Sequence, residues 1–427
     1  MCATLAPVSD NTTAEEPASE PADAPEPEAT EPEATPEDTV ESGPPPQQWN
    51  TFAGSRRLGR AVRSQRTAGF VAGVNDRIGT FRRERKLGKG TLRDTYVAAY
   101  RGYVAQGRVH LRLRITEEPV VPSPAAALAD PDVLRTNLRR FFTLPFPGVK
   151  AQVSAAGATD RVESDRRGYA TCNMPVGDLV SGWHDYLVTT EPDDADEEPT
   201  VVRSQLLVPD PTADVCVISD IDDTILQTGL AEGLTAVKNT LFGQARSRRA
   251  VPGMSTLYRA IEAGMPGVGR AAFFYVSTGP WNLYDVLTDF MSVRGFPAGP
   301  LFLTDWGPQE RYVTRSGTEH KRSTLRRLFD HFPDSRFVLI GDAGQKDAEN
   351  YTLMAKEHPE QVAAILILDV GLSDKAAEAE ERETVARSAG VEFRFVADAR
   401  HAAQVLADLG IIPEASVTAV AAAYERV

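Results

Sequence analysis

The sequence predicts an α/β protein: a parallel sheet with helices on both faces, preceded by a small antiparallel β-sandwich and a disordered amino-terminal tail. After residue 211, apolar runs alternate with helical stretches, which is the pattern of a parallel sheet covered on both sides. Between residues 94 and 211, short alternating runs are separated by Gly, Pro and Asp clusters, as in small antiparallel sandwiches. A length of 427 residues allows two folded domains with tails.

Residues 1–48 are predicted to be a disordered acidic, Pro-rich tail. They hold twelve Asp or Glu and no Lys or Arg, so most of the net charge of -14 lies in this segment. Repeats such as PEPEATEPEATPED lack the apolar content that would repay the entropy of ordering. The simplest interpretation is a flexible, solvated acidic tail. The alternative is that the tail folds back on the basic segment that follows it and masks its charge.

Residues 49–93 form a basic segment that we expect to be helical. It can be a solvated helical face docked on the next domain or a surface for anionic lipid headgroups and phosphates, and the sequence leaves both open. Most of its positive charge comes from Arg56, Arg57, Arg60, Arg63, Arg66, Arg77, Arg82, Arg83, Arg85, Lys86 and Lys89.

Composition also bears on compartment and partners. The cysteines, Cys2, Cys172 and Cys216, are odd in number and scattered, which favours free thiols in a reducing cytoplasm. No stretch has the length and apolarity of a membrane span, and the first residues do not resemble a signal peptide. We therefore expect a cytoplasmic protein with no transmembrane segment and no nucleic-acid partner, and contact with an anionic membrane stays open.

Residues 94–211 contain no convincing catalytic set. The predicted strands are YVAAYRGYV, RVHLRLRI, VKAQVSA, GYATCNM, HDYLVTT and VVRSQLLV. The imidazole of His184 lies beside Trp183 in one of these runs, so we interpret it as a strand residue and not as a ligand.

Residues 212–412 supply the strand and helix alternation. The strands are DVCVIS, AAFFYVS, PLFLTD, FVLIGD, AAILILDV and VEFRFVA, and the helices include MSTLYRAIEAG, WNLYDVLTDFMSVRG, HKRSTLRRLFDHF, KDAENYTLMAKEH and ARHAAQVLADLG. Residues 413–427 are a tail or a terminal helix. Ligands of open parallel sheets bind beyond the carboxyl ends of the strands, and that is where the polar signals fall.

Four of these positions carry candidate chemistry. Asp220, Asp222 and Asp223 follow the first strand. Carboxylates this close repel one another, and burying them is costly unless a positive charge joins them. Magnesium takes oxygen ligands and needs few protein carboxylates, so we predict Mg²⁺ as the cofactor, with Asp220 and Asp342 as its natural ligands. A calcium loop fits poorly because Ala231 stands where a bidentate Glu is needed. The remaining signals are Ser277 and Thr278, Lys321, and Asp347.

These motifs resemble the four motifs of the haloacid dehalogenase superfamily of phosphatases. They are Asp220-x-Asp222-x-Thr224, Ser277, Lys321 and Gly341-Asp342-x-x-x-x-Asp347. The longer strings SDIDDTI, VSTGPWNLYDVLTDF, PLFLTDWG and FVLIGDAGQKDAENY look like the catalytic domain of the actin-patch phosphatidate phosphatase family, over residues 212 to about 375. The resemblance implies a haloacid dehalogenase-like, Rossmann-like fold. One departure is Leu368, where an Arg is expected.

The resemblance, joined with the demands of phosphoryl transfer, implies a role for each residue. Asp220 would attack phosphorus and Asp222 would act as general acid and base, so we predict a lowered pKa for Asp220 and a raised pKa for Asp222. Thr224 would fix the loop. Ser277 and Thr278 would bind phosphate oxygens, and Lys321 would neutralise charge as both a catalytic and a substrate-binding group. The predicted metal ligands are Asp220, Asp222, Asp342 and Asp347.

Plainer interpretations stand beside these roles. Asp347 can be a helix cap, Lys321 an exposed helix lysine, and Ser277 a strand-ending serine. Asp223 receives no chemical role. The segment between the first motif and the next helix places apolar residues on one helical face, which either packs on the domain or receives acyl chains, with basic residues meeting headgroups. These residues are Leu230, Leu234, Val237, Leu241, Arg246, Arg248 and Arg249.

The predicted function is that of a magnesium-dependent phosphatidate phosphatase acting through an aspartyl-phosphate. One alternative keeps this chemistry and changes the substrate to a soluble or nucleic-acid-end phosphomonoester. The other alternative is a non-catalytic module that binds lipid or protein.

Overall fold

A computed structural model describes residues 95–117, 144–191, 198–226, 250–304, 313–343, 346–368 and 376–426. The chain divides into two compact units, residues 1–42 and residues 43–427, and every described residue belongs to the second. The predicted acidic tail, basic segment and acyl-facing helix lie outside the described residues. The predicted boundary between residues 211 and 212 stays a prediction, because the residues on both sides of it belong to one unit.

The predicted parallel α/β sheet is confirmed. Six strands lie in the order β11, β10, β9, β12, β13, β14, and every pairing between them is parallel. The first strand in the chain is therefore central, and the chain reverses direction across the sheet beside it. The strands are β9 (Cys216–Ser219), β10 (Phe273–Pro280), β11 (Leu301–Thr304), β12 (Phe337–Asp342), β13 (Val362–Leu368) and β14 (Phe393–Val396).

Helices cover both faces of this sheet. Successive strand residues point to opposite faces, so Val217 packs in one buried cluster with α1, α2, α6 and α7, whereas Ile218 packs in another with α3 and α4. The helices are α1 (Met254–Ala263), α2 (Tyr284–Arg294), α3 (Val313–His331), α4 (Asp347–Glu357), α5 (Ala376–Ser388), α6 (Ala399–Asp408) and α7 (Glu414–Glu425).

Local sequence explains α1 well. Met254, Leu257, Tyr258 and Ile261 recur at helical spacing and are all buried. The helix ends at Gly264, whose φ of 65° suits glycine. The predicted helix therefore forms where the apolar period and the terminal glycine place it. In contrast, α3 begins seven residues before the predicted HKRSTLRRLFDHF stretch. The prediction missed its first two turns because they lack an apolar period.

The predicted antiparallel sandwich is not confirmed. The strands before residue 211 form one mixed eight-stranded sheet, in which the long β3 pairs with β1, β2 and β6. The pairing between β2 and β8 is parallel. The strands are β1 (Thr95–Ala99), β2 (Gly102–Ala105), β3 (Arg108–Glu117), β4 (Lys150–Ala155), β5 (Ala158–Glu163), β6 (Tyr169–Cys172), β7 (Gly182–Thr190) and β8 (Val201–Val208).

Aromatic side chains join the mixed sheet to the α/β region. Tyr100 stacks on Trp281 at a ring-centroid distance of 4.2 Å, and Tyr103 meets Phe274 edge to face at 5.7 Å. The two sheets therefore share buried surface. Among the described residues, none of the helices has both the length and the apolarity that crossing a bilayer requires.

Candidate active site

Asp220 lies at the carboxyl end of the central strand β9. Its backbone N–H donates to the carbonyl of Ile340 on the neighbouring strand at 2.9 Å, and its carboxyl group is fully buried. The preceding Ser219 donates from Oγ to the carbonyl of Asp220 at 2.6 Å and lies 2.7 Å from the hydroxyl of Tyr258. The backbone that carries Asp220 is thus held from both sides.

Lys321 joins Asp220 to Asp347. Its Nζ donates to Oδ1 of Asp220 at 2.8 Å and to Oδ1 of Asp347 at 2.7 Å, and all three side chains are buried. Lys321 comes from α3 and Asp347 from the first residue of α4, so the bridge links two helices to the central strand. An exposed helix lysine, the plainer interpretation, does not describe this geometry.

Asp342 completes a group of three buried carboxylates. One oxygen each from Asp220, Asp342 and Asp347 lies within 4.8 Å of the others, and this is the arrangement that could hold a metal ion. Gly341 allows the approach, since a Cβ there would meet Cβ of Asp347 at 2.7 Å and its Oδ2 at 2.8 Å. Asp342 ends β12, beside Leu368 at the end of β13.

The donor set fits a hard divalent cation. Three carboxylates and one ammonium leave excess negative charge in a buried site, which is unfavourable without a further positive charge. Oδ2 of Asp347 is buried and has no hydrogen-bond partner. A carboxylate oxygen left without a donor in a cluster of carboxylates is what a metal ion with oxygen ligands would satisfy.

Without a metal ion, burial raises the pKa of Asp220 well above its usual range, and nearby Asp347, Asp222 and Asp342 add to the rise, although Lys321 opposes it. The predicted lowering presupposes a bound cation, so it stays a prediction for the metal-bound site. For Lys321, burial lowers the pKa, but Asp220 and Asp347 more than offset this, so its pKa is raised and the ammonium stays charged.

Asp222 lies outside the three-carboxylate group, although it was predicted as a metal ligand. Its Oδ2 accepts a hydrogen bond from Oγ of Ser277 at 3.0 Å, and that Oγ accepts from the N–H of Gly279 at 2.9 Å. Ser277 is 1% exposed. The structure therefore brings the first and second predicted motifs together through Asp222, with no side-chain ligand from Asp222 in the carboxylate group.

The remaining predicted residues surround this centre. Thr224 is fully buried, and its Oγ1 has no hydrogen-bond partner among the described residues. Asp223, in the turn between Asp222 and Thr224, adopts a positive φ of 54°. Asp tolerates this conformation better than most residues. Thr278 is half-buried and its carbonyl accepts from Oγ1 of Thr304 at 2.8 Å.

Sequence reasoning missed the supports of the site. One of these supports is Tyr258 on α1, whose hydroxyl contacts Ser219. In the sequence, Tyr258 is only one member of an apolar helical period, and such a period predicts core packing and no role in a site. Leu368 was noted as a departure from the resemblance. It is 4% exposed and packs in the buried cluster beside the sheet, so no cationic side chain comes from that strand end.

The carboxylates and the lysine are gathered at the carboxyl ends of parallel strands, which is where α/β proteins with open sheets bind their ligands. Residues 215–369 match the family model described as "Phosphatidate phosphatase APP1, catalytic domain". The resemblance to the actin-patch phosphatidate phosphatase family that the motifs predicted is therefore confirmed over this region.

Two curated relatives match the same region. The phosphatidate phosphatase APP1 of Saccharomyces cerevisiae is 31% identical over 152 residues, which cover 35% of this chain and 25% of that protein. An uncharacterised protein of Schizosaccharomyces pombe is 30% identical over 157 residues, covering 36% of this chain and 25% of that protein. The alignment thus spans about a quarter of the length of these relatives.

Solved structures add little to this comparison. A carbohydrate acetylesterase from Xanthomonas citri matches with a TM-score of 0.20 and 12% identity, covering 52% of this chain and 63% of that one. A similarity this low carries no argument about fold or function.

Proposed function

We propose that this protein is a magnesium-dependent phosphatase that converts phosphatidate to diacylglycerol and inorganic phosphate. The observation that carries the proposal is the buried group of Asp220, Lys321, Asp342 and Asp347, all within the region that matches the phosphatidate phosphatase family. Substrate identity rests on that match alone.

The proposed fold of the catalytic region is haloacid dehalogenase-like and Rossmann-like. Counting only its own strands, the sheet has the order 3-2-1-4-5-6, which is that of doubly wound sheets. In such sheets the ligand binds where the chain reverses direction. Asp220 on the first strand and Asp342 on the fourth lie on either side of that point.

The proposed cofactor is Mg²⁺, held by Asp220, Asp342 and Asp347. When bound, the cation would neutralise the carboxylates and the phosphate oxygens of the substrate. This would offset the crowding that raises the pKa of Asp220. Asp222 is a weaker candidate as a side-chain ligand, because its carboxylate faces Ser277.

Chemistry is proposed to proceed in two displacements. The carboxylate of Asp220 attacks phosphorus, the bond from phosphorus to the alcohol oxygen breaks, and Asp222 gives its proton to the departing diacylglycerol. Water then attacks the aspartyl-phosphate, Asp222 takes a proton from that water, and inorganic phosphate leaves. Asp220 is regenerated at the end of the cycle.

The neighbouring residues hold these groups in place. Lys321 fixes Asp220 by a charged hydrogen bond and would reduce repulsion between this carboxylate and the phosphate. Ser277 orients Asp222 in the structure, and we propose that Ser277 and Thr278 also contact phosphate oxygens once a substrate displaces part of this bonding. Buried Thr224 would fix the turn.

We also propose that the protein acts in the cytoplasm and meets its substrate at the surface of an anionic membrane. The support is its basic segment, residues 49–93, which precedes the described part of the chain. No nucleic-acid partner is proposed.

A substrate panel tests the proposal. Full-length protein is assayed for phosphate release from phosphatidate in detergent micelles, from nucleotides and from sugar phosphates, with Mg²⁺ and with a chelator. We expect Mg²⁺-dependent release from phosphatidate, and loss of at least about a thousandfold in Asp220→Asn, because the nucleophile is removed. The matched control is Asp214→Asn, an exposed aspartate just before β9, which should keep full activity.

Each other outcome has a definite meaning. Release from soluble esters but not from phosphatidate would assign the same chemistry to a different substrate. No metal-dependent release from any ester, with folded protein, would refute the catalytic proposal and leave a binding module. Equal activity in wild type and Asp220→Asn would refute the covalent mechanism.

A further inference from the structure

A cavity lies between the mixed sheet and the α/β region, apart from the candidate active site. Its volume is about 400 Å³. Residues of β2, β3 and β6 line one side, and residues of α3 and β11 line the other, together with Trp281 from the turn before α2. It shares no residue with the carboxylate group around Asp220. A volume of this size suits a small organic ligand.

Nitrogen-bearing side chains dominate the lining of this cavity. None of the described residues that line it is Asp or Glu. Guanidinium groups gathered around one space favour an anion, because each cation there raises the cost of the next. The lining cations are Arg101, Arg112 and Arg327, and the imidazoles of His110, His320 and His331 line the same space.

Two buried donors of the lining lack an acceptor within the described part of the chain. They are Nε of Arg101, a residue that is 8% exposed, and Nε1 of Trp281, which is 6% exposed. A buried guanidinium nitrogen without an acceptor costs free energy that a bound anion would offset. Native proteins rarely leave such donors unsatisfied unless something binds there.

Two other lining arginines pack against aromatic rings. The guanidinium of Arg327 lies 5.3 Å from the ring centroid of Phe302, and that of Arg112 lies 3.9 Å from the ring of Tyr169. The rings of His110 and His331 are 4.2 Å apart. Packing against rings positions arginines while leaving their N–H groups directed at other partners.

We propose that this cavity binds a small organic phosphate, of the size of a nucleoside monophosphate. The guanidinium group of arginine can donate two parallel hydrogen bonds to a pair of phosphate oxygens. A phosphate dianion neutralises several lining arginines better than a single carboxylate does. The aromatic walls formed by Tyr103, Trp281 and Phe302 supply flat apolar surface for the organic part.

Such a ligand would join the two sheets. Arg101 and Arg112 come from the mixed sheet, and Arg327 comes from α3, the helix that also carries Lys321. Because the ligand binds only the folded arrangement, it raises the melting temperature by an amount that grows with the ratio of ligand concentration to Kd. Thermal stabilisation is therefore a readout that does not depend on phosphatase activity.

The experiment measures binding of AMP to full-length protein by calorimetry and by thermal shift, with a chelator present to suppress metal-dependent turnover. We expect saturable AMP binding, no comparable binding of adenosine, and weaker binding of citrate. Arg327→Gln should weaken AMP binding at least about tenfold, because one charge-assisted contact is lost. The matched control is Arg326→Gln, the exposed neighbour on α3 that pairs with Glu357 instead, and it should bind as wild type does.

The active site needs its own control, because it is also proposed to bind phosphate. Ser277→Ala should keep AMP binding if the cavity is the site. Binding that disappears in Ser277→Ala, or that is equal in Arg327→Gln and Arg326→Gln, would overturn the proposal. Absence of AMP binding, or equal binding of adenosine, would do the same. Citrate binding as tightly as AMP would overturn the phosphate class.

Discussion

At the scale of single residues, the site depends on one buried ammonium between two buried carboxylates. Lys321 donates to Asp220 and Asp347, and each charge is stabilised only while its partners are present. Removing the cation leaves two carboxylates without their shared donor in a place where burial already raises the pKa of Asp220. The lysine is thus part of the fold as well as of the proposed chemistry.

We predict that Lys321→Met lowers the free energy of unfolding by about 3–5 kcal/mol, because breaking a buried ion pair leaves an uncompensated charge. The measurement is urea unfolding of full-length protein with a chelator present. The matched control is Lys356→Met on the exposed face of α4, which should change stability by less than about 0.5 kcal/mol. Equal stability of the two variants would contradict the prediction.

The sequence reveals part of this site and hides the rest for a physical reason. Asp220 and Asp342 were predicted because the carboxyl ends of parallel strands meet at one edge of the sheet, and Lys321 was predicted from the motif resemblance. The bond between Asp222 and Ser277, and that between Ser219 and Tyr258, depend on how side chains 55 and 39 residues apart meet. Patterns along one chain carry no information about such pairs. The raised pKa of Asp220 in the metal-free protein follows from its burial depth, which spacing along the sequence does not report.

At the scale of elements, the site depends on how closely α4 approaches β12. Asp347 opens the helix and lies against Gly341 of the strand, where no side chain intervenes. The φ of Gly341 is that of an ordinary extended strand, so the glycine is needed for the close approach of Asp347 and not for an unusual backbone conformation. The same contact holds Asp347 within the carboxylate group.

We predict that Gly341→Ala destabilises the protein by about 1–3 kcal/mol and weakens Mg²⁺ binding, because the added methyl group must displace Asp347. The measurement is the rise in melting temperature on adding Mg²⁺, which should be smaller in the variant than in wild type. Gly177→Ala is the control, since a Cβ there meets nothing within 4 Å. An unchanged Mg²⁺ response in Gly341→Ala would show that the position of Asp347 does not govern metal binding.

Strand prediction had the same limits at this scale. Alternation between strand and helix sufficed for the parallel sheet, since buried parallel strands and crossover helices leave strong local patterns. It did not suffice before residue 211, where β3 pairs with three strands and β2 lies parallel to β8. An alternating run shows that a segment is a strand with one buried face and does not identify its neighbours.

At the scale of the whole molecule, a histidine pair joins the mixed sheet to the α/β region. His110 on β3 stacks with Tyr103, and the ring of His331 at the end of α3 is tilted against that of His110. The hydroxyl of Tyr103 lies 2.9 Å from Nδ1 of His331. Burial, together with the charges of His331, Arg327 and Arg108, lowers the pKa of His110 to about 4. Burial and Arg327 also lower the pKa of His331, against the effect of Asp330.

This pair makes the joined structure sensitive to acid. His110 is neutral in the folded protein and takes up a proton in the unfolded chain below its ordinary pKa of 6.5. Between pH 6.5 and about pH 4, the unfolded state therefore binds more protons than the folded state. The stability that His110 contributes is complete above pH 6.5 and is lost as the pH falls towards about 4. We predict that the melting temperature of wild type falls more steeply from pH 7.5 to pH 5 than that of His110→Gln. Differences between the two variants cancel the contribution of the carboxylates, which both retain. His401→Gln, on the exposed face of α6, should keep the slope of wild type, and a wild-type slope in His110→Gln would show that the acid sensitivity arises elsewhere.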